Sequence, residues 1–219
     1  MMILLEGVLA PEDLALVRST LAEISFVDGK ATAGATARQV KANLQAPGTD
    51  ERIRGLERFA LDALMRHPTF DLAARPARFS RVLFSRYEPG MRYGAHTDDA
   101  LMGRAGDQIR TDLAFTIFLA EPESYEGGAL LVEGPAGQTR VKLPAGDAVL
   151  YPAGAIHEVE TVGAGARLAA VGWVQSMIRE PMRREILFDL SRGRAGASTE
   201  AALLIDKAIS NLLRLWAEP

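Results

Sequence analysis

"VKLPAGDAVLYPAGAIHEVETVGAGARLAAVGWVQSM", residues Val141–Met177, decides the fold. Four short runs stand in it: "VKLP", "DAVLYPA", "HEVETV" and "ARLAAVGWVQSM". Turn-forming clusters part them: "PAGD" at 144–147, "PAG" at 152–154 and "GAG" at 163–165. Glycine opens positive φ and proline presets it, so such clusters punctuate strands. The same texture reaches back through "RFSRVLFSRY" (Arg78–Tyr87), "DLAFTIFLA" (Asp112–Ala120) and "GALLVEG" (Gly128–Gly134). Strands at this spacing predict a β-sandwich or barrel over 78–178. Gly127-Gly128 and Gly163–Gly165 read as hairpin turns, because neither has the strand–GxGxxG–helix setting of a phosphate cradle.

Helical patterns flank this region. "APEDLALVRSTLAEI" (Ala10–Ile24) places Pro11 and two acids in a first turn, then Leu14, Val17, Leu21 and Ile24 at helical spacing. "TDERIRGLERFALDALMRH" (Thr49–His67) offers Thr49 as a cap and a stripe of Ile53, Leu56, Ala60 and Leu64, with Pro68 as its end. "ARQVKANLQ" (Ala37–Gln45) is ambiguous and leans towards a short strand. Pro181 starts another helix, "RGRAGA" (Arg192–Ala197) resembles a linker, and Ser198 caps a last helix. The apolar stripe of that helix, Ile205, Ile209, Leu212 and Trp216, is expected to pack on the core; a homodimer contact is the second option.

Bulk properties narrow the function classes. A chain of 219 residues, 48% hydrophobic, can bury a core as one sizeable domain. Its net charge of −3, from 28 acids and 25 bases, leaves no basic footprint for nucleic acid or an anionic membrane. No cysteine is present, which excludes disulfides, thiolate metal sites and cysteine nucleophiles. The start, "MMILLEGVLAPED", reaches Glu6 without a basic flank or a signal-length apolar run, and no segment is long enough to span a bilayer. The expectation is a soluble cytoplasmic protein.

The chemistry gathers at "RYGAHTDDALM" (Arg92–Met102), which holds one of only three histidines. At a strand end, His96 and Asp98 share one face and Asp99 points away. His157 opens "HEVETV" and can meet them inside a rolled sheet. Two imidazoles and a carboxylate on one side of a metal form the facial triad of non-haem iron enzymes, which leaves coordination positions open. A structural zinc site would want a fourth protein ligand. Ten residues past His157, Arg167 opens an otherwise uncharged run. A cation at a buried strand needs an anionic partner, and a guanidinium suits a carboxylate. A dicarboxylate such as 2-oxoglutarate could chelate the metal at one end and meet Arg167 at the other.

H-x-D, a distant His and an Arg ten residues on resemble the Fe(II)/2-oxoglutarate-dependent dioxygenases. The blocks "ARQVKANLQ", "SRYEPGMRYGAHTDDALM", "RTDLAFTIFLAEPESYEGGALLVE" and the segment from Val141 to Glu180 resemble the bacterial PKHD-type hydroxylases, a prolyl-hydroxylase-like branch, over nearly the whole chain. The resemblance implies an α+β, mainly β fold: a double-stranded β-helix (jelly-roll, cupin-like) at 78–178, an N-terminal helical and strand support region at 1–77, and C-terminal helices at 179–219. It implies Fe2+ on His96, Asp98 and His157. It implies 2-oxoglutarate as cosubstrate on Arg167, with Tyr87 facing it, and L-ascorbate as reductant. Asn43, Gln45 and Arg110 fall in the matching blocks and are expected to line the pocket, without an assigned role. The implied reaction hydroxylates a C–H bond of a small-molecule or peptidyl substrate and releases succinate and carbon dioxide.

Plainer readings stand beside these. His96 and Asp98 fit a polar turn; His157 fits a strand end bonded to backbone; Arg167 fits an ion pair with Glu158 or Glu160 across a hairpin. Tyr87 and Trp173 fit core aromatics. His67, before Pro68, reads as a solvated helix end. The alternative functions are a cupin-like metal- or ligand-binding sensor without turnover and an interaction barrel with a vestigial site.

Overall fold

The computed structural model describes residues 1–34 and 37–218. Two antiparallel sheets face each other as the expected jelly-roll core. The larger runs Ile3–Leu5, Ala148–Pro152, Leu113–Phe118, Arg167–Ser176, Leu83–Tyr87, Leu44–Gln45 and Val27–Asp28, and Pro76–Phe79 also pairs with Arg167–Ser176. The smaller runs Gly137–Val141, Leu130–Gly134, His157–Val159, Arg92–His96 and Lys41–Ala42. The region before residue 78 thus adds strands to both sheets.

The alternation of side chains divides each central strand between two environments. Leu113, Phe115 and Ile117 point outward with Ala148, Leu150, Ala170 and Val174. They pack against Leu14, Val17 and Leu21 of helix Pro11–Ala22 and Ile53, Leu56 and Leu64 of helix Glu51–Arg66. Phe70, from the short helix Pro68–Ala74, meets Phe115 edge-on at 6.4 Å. On the inward side, Ala114, Phe118, Val149 and Tyr151 meet Leu130, Val132 and Val159 of the smaller sheet. The inward side also carries Tyr87, Thr116 and Arg167, and there the two sheets part to leave a cavity.

Several local expectations are corrected. Asp50, not Thr49, caps the helix Glu51–Arg66, its carboxylate accepting from the Arg52 N–H at 2.9 Å. Pro68 does more than end that helix: it opens the next one, where its missing N–H costs nothing. Ala37–Val40 is a helical turn, and only Lys41–Ala42 and Leu44–Gln45 are strands. The "GAG" cluster is no turn, since Val162–Gly165 pairs with Tyr125–Gly127. Gly165 has φ of 74° and a Cβ there would collide with the Ser124 carbonyl, so the pairing demands glycine. His67 is half-buried rather than solvated, with Nε2 3.1 Å from the Glu6 carbonyl.

Ser198 caps helix Thr199–Trp216 as expected, accepting from the Ala201 N–H at 3.3 Å. The stripe of that helix does not reach the core. Ile205, Ile209, Leu212 and Trp216 are only half-buried, and the helix leans on Pro181–Arg194, where Arg183 lies over the Trp216 ring. No helix among the described residues is long and apolar enough to cross a membrane.

Candidate active site

His96 and His157 are direct register partners across neighbouring strands of the smaller sheet. Two residues on from this pair, Val159 faces Tyr93 instead of the residue expected by strict pairing, so the strand Arg92–His96 carries a bulge. A bulge re-aims side chains. Here it turns both Tyr93 and His96 into the cavity, their rings stacked 3.7 Å apart. Strict alternation would have sent Tyr93 to the opposite face.

Each imidazole is held in the same way. Nδ1 of His96 lies 2.8 Å from the Gly94 carbonyl, and Nδ1 of His157 lies 3.0 Å from the Ala155 carbonyl. A carbonyl only accepts, so Nδ1 carries the proton and Nε2 keeps its lone pair. Burial, reinforced by His157 beside it, pushes the His96 imidazole down to about 4. The ring is therefore neutral at neutral pH and able to ligate.

Asp98 lies just past the strand and its side chain is buried. Its Oδ2 has no hydrogen-bond donor among the described residues and stands 3.7 Å from Nε2 of His157. Burial pushes this carboxyl up from its ordinary range, with His157 and the Trp173 indole pulling the other way. One ligand atom from each of His96, Asp98 and His157 falls within 4.8 Å of the others. Two imidazole lone pairs and an orphaned carboxylate oxygen form a donor set that fits a first-row divalent metal with open positions.

Arg167 opens the long strand of the larger sheet, directly opposite Tyr87. It is 2% exposed, lines the same cavity, and its Nε has no partner among the described residues. Its guanidinium lies 5.2 Å from the Tyr87 ring centroid and 5.5 Å from that of Phe118. The hairpin ion pair is not formed: Glu160 binds Arg140 instead, and among the described residues Arg167 makes no salt bridge to Glu158. Burial raises the Tyr87 phenol, against the pull of Arg167, so the hydroxyl keeps its proton.

The cavity opens to solvent on one side. Asn43 and Gln45 line it, as the sequence blocks suggested, and Asp99 also lines it, at an exposed position. Arg110 does not. Its strand pairs with Leu101–Met102, and its guanidinium is tied to Asp112 at 2.7 Å and Glu218 at 3.1 Å. The sequence reading missed Lys41, Tyr93 and Tyr151, all of which face the cavity. An alternating K-x-N-x-Q at 41–45 was the available signal for Lys41.

The 2OG-Fe(II) oxygenase superfamily model matches residues 82–175, a span that includes Tyr87, His96, Asp98, His157 and Arg167. Over their full lengths, this chain and a PKHD-type hydroxylase from a Synechococcus strain are 47% identical. A PKHD-type hydroxylase of Maricaulis maris is also 47% identical, with both chains covered in full. Among solved structures, a Pseudomonas putida prolyl-4-hydroxylase superposes with a TM-score of 0.53 at 23% identity, covering 80% of this chain and 92% of that one. HygX from Streptomyces hygroscopicus, with nickel, 2-oxoglutarate and hygromycin B bound, gives a TM-score of 0.56 at 15% identity, covering 82% of this chain and 84% of that one. The fold is thus shared widely, and the full-length identities carry the family: the chain belongs to the PKHD-type hydroxylases of the 2OG-Fe(II) oxygenase superfamily.

Proposed function

We propose that His96, Asp98 and His157 hold ferrous iron, and that Arg167 and Tyr87 hold the far carboxylate of 2-oxoglutarate, in an enzyme that hydroxylates a C–H bond. The observation that carries this reading is one cavity with two complementary features. Three ligand atoms converge in it, and so does a buried guanidinium whose Nε has no partner among the described residues. Bound iron supplies activation of dioxygen, coupled to loss of carbon dioxide from the 2-oxo acid.

The chain's own part is positional. The Gly94 and Ala155 carbonyls fix the two imidazoles with Nε2 inward. Tyr87 and Phe118 cover faces of the Arg167 guanidinium and leave its N–H edge for a carboxylate. Val159, Leu130 and Val171 supply apolar wall, which excludes water and strengthens that ion pair. Ascorbate serves as the reductant that restores ferrous iron after uncoupled turnover. The setting we infer is the cytoplasm, which supplies both ferrous iron and 2-oxoglutarate.

The test is oxygen-dependent succinate formation from 2-oxoglutarate by protein purified without air and loaded with ferrous iron. Activity well above a His96→Ala control is expected. Succinate no greater than in that control overturns the reading in favour of a ligand-binding module. Arg167→Ala should weaken 2-oxoglutarate binding by about a hundredfold or more, the cost of unpairing a buried charge, while leaving metal affinity nearly unchanged. Equal loss of both would remove the clamp role.

A further inference from the structure

Lys41, Asn43 and Gln45 alternate along the segment that crosses from the smaller sheet to the larger one. All three are at least nine-tenths buried, and all line the cavity. They differ in how well they are satisfied. Gln45 is engaged at both ends: its Oε1 accepts from the Thr32 hydroxyl at 2.6 Å, and its Nε2 donates to Ser85 Oγ at 3.4 Å. Asn43 has no hydrogen-bond partner at either amide atom among the described residues. Its Oδ1 lies against Gly29, where a Cβ would collide with it, and its amide sits beside the Tyr87 hydroxyl. Lys41 donates one N–H to Thr32 Oγ1 at 3.0 Å. Its ammonium lies 5.1 Å from the Tyr93 ring centroid, on the His96 side of the triad. Among the described residues it makes no ion pair, and Asp98 and Asp28 act on it only at longer range.

The charges of the cavity do not balance around one cosubstrate. A divalent metal offsets a dicarboxylate. Asp98 then offsets one of the two buried cations, Arg167 and Lys41, while Asp99 is exposed and solvated. One cation is left over, and a buried charge without a partner is costly. Burial already drags the Lys41 ammonium down to about 8. An anion seated beside it would relieve that penalty. Arg167 lies beside Tyr87 and Phe118 and Lys41 beside Tyr93, so the two cations stand at different places on the cavity wall.

We propose that Lys41 forms an anion subsite for the molecule to be hydroxylated, so that this substrate carries a carboxylate. The proposal rests on the iron- and 2-oxoglutarate-dependent reading of the same cavity. Its test uses manganese-loaded protein, which does not turn over, held at saturating 2-oxoglutarate so that the Arg167 end is filled. Butyrate and its neutral counterpart butyramide are the probes, and the readout is paramagnetic relaxation of their protons by the metal. Butyrate should be relaxed and butyramide much less, by about tenfold in affinity, as expected for a charge-assisted contact. Lys41→Met should abolish the butyrate effect and Lys41→Arg should retain it, with 2-oxoglutarate affinity within about twofold of wild type in both. Equal relaxation of the two probes in the wild-type protein, or none of butyrate, overturns the subsite, and so does a butyrate effect that survives Lys41→Met. A large loss of 2-oxoglutarate affinity in Lys41→Met would assign Lys41 to the cosubstrate and equally overturn it. Failure of the wild-type protein to bind 2-oxoglutarate at all would instead sink the functional reading, and that titration is made first.

Discussion

The central strands of the larger sheet have two faces with opposite duties. Outward, Phe115, Ile117, Leu150 and Val174 are fully buried against helices, and no polar side-chain atom needs a partner. Inward, the same strands carry Thr116, Tyr151, Trp173 and Arg167, and the Trp173 and Arg167 side chains keep buried N–H groups unpartnered among the described residues. Dense apolar packing supplies free energy of folding. Unpartnered polar groups cost free energy unless a ligand meets them. The outer face therefore holds the fold together, while the inner face is left incomplete for a metal and its ligands. Substitutions should separate the two duties.

The largest separation is expected at His157. His157→Ala removes a ligand and should cut succinate formation by about a thousandfold or more, because a metal contributes several kcal/mol to the barrier. The metal-free protein should unfold in denaturant within about 1 kcal/mol of wild type, since the side chain borders a cavity. A variant that fails to fold would break the division. On the other face, Phe115→Ala should cost about 3–5 kcal/mol in a denaturant titration. Its folded fraction should still bind metal and 2-oxoglutarate with nearly wild-type affinity, and a selective loss of binding would show that the faces are coupled.

Gly172 sharpens the contrast by a smaller effect. It pairs directly with Phe115 across the sheet, and a Cβ there would stand 2.5 Å from the phenylalanine Cζ. The glycine is required for space rather than for positive φ. Gly172→Ala should therefore cost about 1–3 kcal/mol by overpacking. Combined with Phe115→Ala, which removes the obstructing ring, the two costs should be less than additive in a double-mutant cycle.

The two faces were unequally legible. The outer one was legible as strand, but "DLAFTIFLA" is buried on both faces, so composition did not say which residues meet the helices. His96, Asp98, His157 and Arg167 were legible because the chain has so few histidines and because a lone arginine opens an apolar strand. Tyr93 was not, because a bulge breaks the period that would have assigned its face. Lys41 sits in a strand of two residues, too short for periodicity to show, and its pairing partner Tyr93 lies about fifty residues away. "GAG" looked like a turn because local composition carries no trace of a partner strand near residue 125. In each case the missing information was long-range pairing.

Tyr87 makes the finest comparison, since it borders both the core between the sheets and the cavity. Its ring packs on the Arg167 guanidinium, whereas its hydroxyl lies beside the Asn43 amide at the cavity wall. Tyr87→Phe keeps the packing and removes only the hydroxyl. Stability should fall by no more than about 1 kcal/mol, the net worth of one neutral hydrogen bond. Affinity for 2-oxoglutarate should fall by about fivefold, the worth of one net hydrogen bond, with metal affinity unchanged. Titration of 2-oxoglutarate into metal-loaded protein would measure it. Unchanged affinity would confine Tyr87 to packing and leave Arg167 alone as the anchor of the far carboxylate.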